Sequence, residues 1–203
     1  MEPAHTPYKA ELIARHMTGV PLMTMDFKNG GYISLQKTDY GLFDLAGGTT
    51  ALLPKLLSIA KGGFNHEKRV GYDSYDSRGN LTQYTQDQSI PVSFIWGYGK
   101  SLPVAKIENM ALSAIPQSLV DDIQNATHAQ LPQKLEELRT HSALAGAMIS
   151  TYTYMPFVGT VTEADPKGST TTYSYDAFGR LQEVRDRENN LISHNRYQYR
   201  TQN

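Results

Sequence analysis

The chain of 203 residues has no cysteine. That absence removes disulfides, thiol nucleophiles and thiolate metal sites, and it leaves the cellular compartment open. A surplus of charge is also missing. Nineteen Lys and Arg face twenty Asp and Glu, for a formal net charge of −1, so the charge balance selects neither nucleic acid nor an anionic membrane as partner. Nowhere do about eighteen apolar residues follow one another. The opening MEPAHTPYKAELIARHMTG lacks the apolar run of a secretory signal, so the chain is expected neither to span a membrane nor to carry its own export address. Hydrophobic residues make up 39%, adequate for a core but low for a compact enzyme, which points to a thin or extended architecture.

Catalytic signatures are sparse as well. The histidines, His5, His16, His66, His128, His141 and His194, stand apart in sequence without HExxH spacing, and no nucleophile elbow or dinucleotide fingerprint occurs. GLFDLAGGTTALLPK (41–55) has glycines and a lysine but not the strand, spacing and helix of a phosphate loop. No two carboxyls are ordered as a glycosidase pair. DSYDSRGN (73–80) offers Asp73, Asp76 and Asn80 without the alternating ligands and closing Glu of an EF-hand. The expectation is a protein that is not an enzyme, with no catalytic residue, metal ligand or cofactor.

What is present is tyrosine and turn chemistry. Thirteen Tyr against six Phe suits a half-buried pleated surface, where the ring packs and the hydroxyl reaches water. From residue 19 the chain reads as short strands broken by KNGG (28–31), DSRG (76–79), DPKG (165–168), DAFG (176–179) and DREN (186–189), and the last four share Asp-x-x-Gly/Asn. Asp opens a type I turn by capping the backbone with its carboxylate; Gly or Asn three residues on takes the left-handed conformation that closes a three-residue loop. The last three turns start 11 and 10 residues apart, the spacing of an antiparallel meander. Strands are expected over 148–164, 169–175, 180–185 and 190–199, and in RVGYDSY, NLTQYTQ, IPVSFIWGY and PVAKIEN.

Between these sets, residues 114–146 place Leu119/Ile123 and Leu131/Leu135/Leu138 at helical spacing, with Pro116 and Pro132 at first helical positions. A short helical hairpin near 115–142, packed on the sheet, is predicted. Another turn or two of helix is expected around Tyr8 to His16, and 42–61 reads as a Gly-rich loop and then a strand, because Pro54 would interrupt a helix.

Repetition joins the turns into one scheme. YDSRGNL (75–81) matches YDAFGRL (175–181) in Tyr, Asp, Gly and Leu, with weaker echoes at 151–162 and 195–200. Tyr154 to Tyr175 is 21 residues and Tyr175 to Tyr197 is 22, so the unit is one hairpin. These Tyr-Asp-x-x-Gly-x-Leu units resemble the YD repeats of the Rhs family. The linking text IPVSFIWGYGKSLPVAKIEN (90–109) and TYTYMPFVGTVTEADPKGSTTTYSYDAFGRLQEVRD (151–186) resembles Rhs-repeat proteins of Bacteroidetes-type bacteria. The resemblance covers about 66–110 and 146–203. It implies hairpins that spiral into a hollow shell, secreted or at the cell surface, which encloses or presents a toxin effector. Implied partners are a larger Rhs-repeat polypeptide, an encapsulated effector, or glycans, since carbohydrate binding has been attached to such repeats. At 203 residues the chain is too short to enclose a cavity, and it shows no terminal processing segment or variable toxin domain.

The fold class expected is therefore mainly β: antiparallel β-hairpin (YD) repeats forming a curved sheet with a helical-hairpin insertion. Four segments follow: 1–65, a diverged repeat region; 66–112, a YD-repeat β segment; 113–145, the insertion; and 146–203, a second YD-repeat β segment. Tyr75, Asp76, Gly79 and Leu81, with Tyr175, Asp176, Gly179, Arg180 and Leu181, are expected to be structural, Tyr175 facing Leu181 as a cross-strand pair. Tyr152, Tyr154, Tyr173 and Tyr175, joined by Tyr197 and Tyr199, could line one face able to stack on sugar rings, or pack against another layer. Trp96 reads as core. NRYQYRTQN (195–203) reads as a last strand with an unpaired edge open to self-association. Gly179→Val sets a β-branched side chain at positive φ and is expected to cost more than about 1 kcal/mol in chemical denaturation. An unchanged midpoint would refute the turn.

Overall fold

The computed structural model describes residues 8–62 and 65–198. Positive φ falls where the turn chemistry asks for it: 84° at Gly79, 82° at Gly168, 73° at Gly179 and 65° at Asn189. The turns close alike. Asp76 and Asp176 donate their amides to the carbonyls of Asn80 and Arg180, and Gly79 and Gly179 donate back to the aspartate carbonyls, at 2.8–2.9 Å. The same pair of bonds recurs at Asp165 and Asp186.

These turns join a mainly β fold whose strand order is its sequence order: β1 (Met23–Lys28), β2 (Gly31–Asp44), β3 (Thr50–Lys61), β4 (Glu67–Tyr75), β5 (Leu81–Gln86), β6 (Ile90–Gly97), β7 (Leu102–Glu108), β8 (Met148–Met155), β9 (Gly159–Ala164), β10 (Thr170–Tyr175), β11 (Leu181–Arg185) and β12 (Leu191–His194). Neighbours pair antiparallel, the arrangement that short hairpin connections permit. Two compact units divide the chain, Met1–Ser93 with Asn109–Leu112, and Phe94–Glu108 with Ser113–Asn203.

In the first unit, helix α1 (Lys9–Ala14) buries Leu12 against Tyr40 of β2 and Leu52 of β3, with Met17, Val20 and Leu22 around them. Six residues form no stable helix alone; this contact holds it. Pro54, which has no amide to give to a ladder, sits at a bulge: Tyr40 pairs with Pro54 while Asp39 pairs with Leu56.

In the second unit, α2 (Gln117–Asn125) buries Val120 and Ile123, and α3 (Leu131–Thr140) buries Leu131, Leu135 and Leu138. Ile107 pairs with Ile149 and Ala105 with Thr151 across β7 and β8. All four are buried, and α3 packs against β8. Near the end of α3, Arg139 donates to the carbonyls of Ile149 (2.5 Å) and Asp165 (2.8 Å), tying the helix to β8 and to the 165–168 turn.

Several expectations change. Residues 148–164 are two strands, β8 and β9, with a turn between them where Phe157 takes φ 65°; this turn lacks the Asp-x-x-Gly form that marks the others. Pro116 caps α2 rather than opening it, and the buried place beside Ile123 belongs to Val120, with Leu119 half-buried. Trp96 is half-buried while Ile95 beside it is fully buried. The last strand ends at His194, short of 199, although the Asn195 amide still donates to the Gln182 carbonyl at 2.9 Å. Tyr199 lies outside the described residues.

Leu138 is 0% exposed, so Leu138→Ala is expected to lower stability by about 2–5 kcal/mol in urea unfolding. A loss below about 1 kcal/mol would mean that the insertion is not part of the core.

Candidate functional site

The two Tyr-Asp hairpins share an irregularity just past the turn. Tyr75 pairs with Leu81 while Ser74 pairs with Gln83, and Tyr175 pairs with Leu181 while Ser174 pairs with Glu183. Thr82 and Gln182 are thus left over. Tyr154 behaves likewise without the motif: it pairs with Thr160, Thr153 pairs with Thr162, and Val161 is extra. An extra residue on one strand bends it and increases its twist. The ladder to the preceding strand stops short of the turn, at Gly71 in β4 and at Thr172 in β10.

Beyond that point the tyrosine hydroxyl makes the strand-to-strand bond. Tyr75 donates to the Pro54 carbonyl of β3 at 2.7 Å, and Tyr175 to the Thr160 carbonyl of β9 at 2.7 Å. Tyr154 donates to the Pro103 carbonyl of β7 at 2.9 Å, and Tyr197, past β12, to the Leu181 carbonyl of β11 at 2.9 Å. Burial raises the phenol pKa of Tyr75 and Tyr175 and, with neighbouring Tyr152 adding to it, pushes Tyr154 up to about 12. These hydroxyls keep the proton they donate.

The aspartates are equally occupied. Asp76 Oδ1 accepts from the amides of Arg78 and Asn80 at 2.8 and 3.0 Å, and its Oδ2 from Asn80 Nδ2 at 3.0 Å. Asp176 Oδ1 accepts from the amides of Phe178 and Arg180 at 2.8 and 3.0 Å, and its Oδ2 from Arg180 Nε at 2.7 Å. The Arg180 guanidinium, then the turn amides, hold the Asp176 carboxyl below the ordinary range, so it remains an acceptor. Arg180 also lies 4.2 Å from the ring centre of Tyr197, a cation–π contact that links one repeat to the tyrosine of the next. Asp73 Oδ2 accepts from Gln83 Nε2 and Thr85 Oγ1 at 2.9 and 2.7 Å. Among the described residues, no three His, Asp or Glu gather as a metal site.

The tyrosine row is brought together. Tyr152 pairs with Glu163, and Glu163 with Thr171, so by alternation Tyr152, Tyr154, Tyr173 and Tyr175 share a face with Glu163, opposite to Ile149 and Thr151. Tyr173 donates to Glu163 Oε2 at 3.3 Å; burial, then that carboxylate, raises its pKa. All four rings are half-buried, and the ring of Tyr98, 5.9 Å from that of His128 between α2 and α3, lies 5.9 Å from the ring of Tyr154.

Two participants escaped the sequence reading. A Cβ at Gly159 would meet Tyr175 Oη at 2.3 Å and Cζ at 2.8 Å, so the missing side chain is the seat of the tyrosine ring; a glycine beginning a strand was the available hint of close approach. Tyr98 offers its hydroxyl to both backbone groups of Tyr154, accepting from the amide at 2.8 Å and donating to the carbonyl at 3.1 Å. No sequence pattern marks it.

The RHS Repeat family model matches residues 158–191, from the valine against which the Gly179 turn packs through the 186–189 turn. That stretch is similar to an RHS repeat. No curated protein matches the chain. The chain is similar to solved structures of TcdB2-TccC3 without the hypervariable C-terminal region (TM-score 0.42, 7% identity, 80% of this chain and 8% of that one) and of TcdB2-TccC3-Cdc42 (0.42, 8%, 85% and 8%). It is also similar to a Photorhabdus luminescens Tc holotoxin pore (0.39, 10%, 93% and 9%). The chain spans 8–9% of the length of those structures.

Tyr175→Phe leaves the Thr160 carbonyl without its donor and is expected to cost about 1–2 kcal/mol. Gly159→Ala, which displaces the whole ring, should cost more. Urea unfolding compares them, and unchanged stability in both variants would remove the tyrosine bond from the account of the fold.

Proposed function

We propose that this chain is a structural, non-enzymatic segment of an Rhs-type hairpin-repeat shell, exported or displayed at the cell surface, whose larger assembly encloses or presents a toxin effector. The recurring tyrosine-to-carbonyl bond carries the reading, because it falls at hairpin intervals and one instance, Tyr175 to Thr160, lies inside the matched repeat. A reaction centre presents polar groups to a substrate. Here Tyr75, Asp76, Tyr175 and Asp176 are engaged by their own backbone, Gly79 and Gly179 close the turns, and Leu81 and Leu181 pair with the tyrosines. The fitting partners are a larger Rhs-repeat polypeptide and its effector.

The rival reading, a glycan surface on Tyr152, Tyr154, Tyr173 and Tyr175, is favoured by the half-exposed rings they present on a common face. It is limited to stacking for Tyr154 and Tyr175, whose hydroxyls serve Pro103 and Thr160. The two readings separate by experiment. Mixed with a larger Rhs-repeat polypeptide from the same source, the chain should co-elute as a complex and leave a glycan array blank. Array binding that disappears in Tyr173→Ala and Tyr175→Ala, with unchanged circular dichroism and no complex, would overturn the shell reading.

A further inference from the structure

On the second unit, the end of α3 and the turns at 165–168 and 186–189 border a cleft of about 490 Å³, within the range of roughly 300–1,000 Å³ usual for small-molecule sites. Its charge is one-sided. Arg139, Lys167 and Arg187 line it against a single carboxylate, Glu136, in a chain whose formal net charge is −1. Among the described residues, the Lys167 and Arg187 side chains have no ion-pair or hydrogen-bond partner. Arg139 is fixed in place by its bonds to the carbonyls of Ile149 and Asp165. Those bonds use two of its five N–H donors, and the rest stay available. Thr170 adds a hydroxyl to the wall, whereas the Thr140 hydroxyl is donated to the Glu136 carbonyl at 2.8 Å.

We infer that this cleft binds a small polar molecule bearing a phosphate- or sulfate-type oxyanion. The positioned guanidinium supplies a planar donor set, and the two unpaired cations neutralise the charge from the turns. Glu136 opposes the anion and sets the affinity below what three cations alone would give. The position has a physical logic. Arg139 belongs to the helical insertion, whereas Lys167 and Arg187 belong to repeat turns, so an occupant would bridge the insertion to the hairpins. None of these residues takes part in the tyrosine bonds or the Tyr-Asp turns, so the inference stands apart from the shell reading.

The test is a titration of the ¹⁵N-labelled chain with glucose 6-phosphate, with glucose as the uncharged control. Saturable amide shifts at Thr140, Gly168 and Thr170 are expected with the phosphate and not with glucose. Lys167→Ala and Arg187→Ala should each weaken the Kd about threefold to fivefold, as loss of one solvent-exposed charge pair does, and Glu136→Gln should tighten it by a similar factor. Because Lys167 and Arg187 are exposed and make no side-chain hydrogen bond or ion pair among the described residues, the unliganded spectra of these variants should match the parent chain. Shifts that never saturate, that spread over every basic residue, or that ignore all three substitutions would overturn the site.

Discussion

A strand carbonyl that has lost its ladder partner needs another donor, and in this protein a tyrosine hydroxyl from the next hairpin supplies it. The requirement arises from the bulges. Each extra residue at Thr82, Val161 or Gln182 bends the end of its hairpin, and regular pairing with the strand before cannot continue to the turn. Tyr75, Tyr154, Tyr175 and Tyr197 then reach the carbonyls of Pro54, Pro103, Thr160 and Leu181. Pairing and bending would otherwise compete; a long, rigid side chain with one terminal donor lets the two coexist.

The same constraint explains which neighbours the tyrosine tolerates. Gly159 must lack a side chain because the Tyr175 ring occupies that space. Leu181 sits across from the tyrosine, and Arg180 places its guanidinium between Asp176 and the ring of Tyr197. Each repeat therefore contributes a turn to itself and contacts to the next. This is the nearest-neighbour logic expected of an array, in which stability is built from units and their interfaces. The helical hairpin departs from it, burying Leu131, Leu135 and Leu138 with α3 packed against β8.

Much of this was legible locally. Asp-x-x-Gly/Asn specifies its turn through atoms within five residues, so the four such turns and the strands they bound could be read directly. The helices were visible through their apolar spacing, although the choice of Val120 over Leu119 for the core depends on where the strands lie. The turn at 156–158 was not legible, since Phe157 adopts positive φ without glycine, asparagine or aspartate to signal it. Nor was the extent of the final strand, which a run of alternating polar and aromatic residues overstates.

By itself the sequence determined the repeat: its period, its turn residues, the pairing of Tyr175 with Leu181 and of Tyr75 with Leu81, and the balance of charge that favours no polyanion for the chain as a whole. Those properties rest on backbone stereochemistry over a few residues. Only the tertiary structure decided which carbonyl each tyrosine would serve, why Gly159 must stay bare, how Tyr98 came to act as a partner for the Tyr154 backbone, and that Arg139, Lys167 and Arg187 would border one cleft. Such relations join residues 15 to 56 positions apart, through strand bends that no short stretch of sequence encodes.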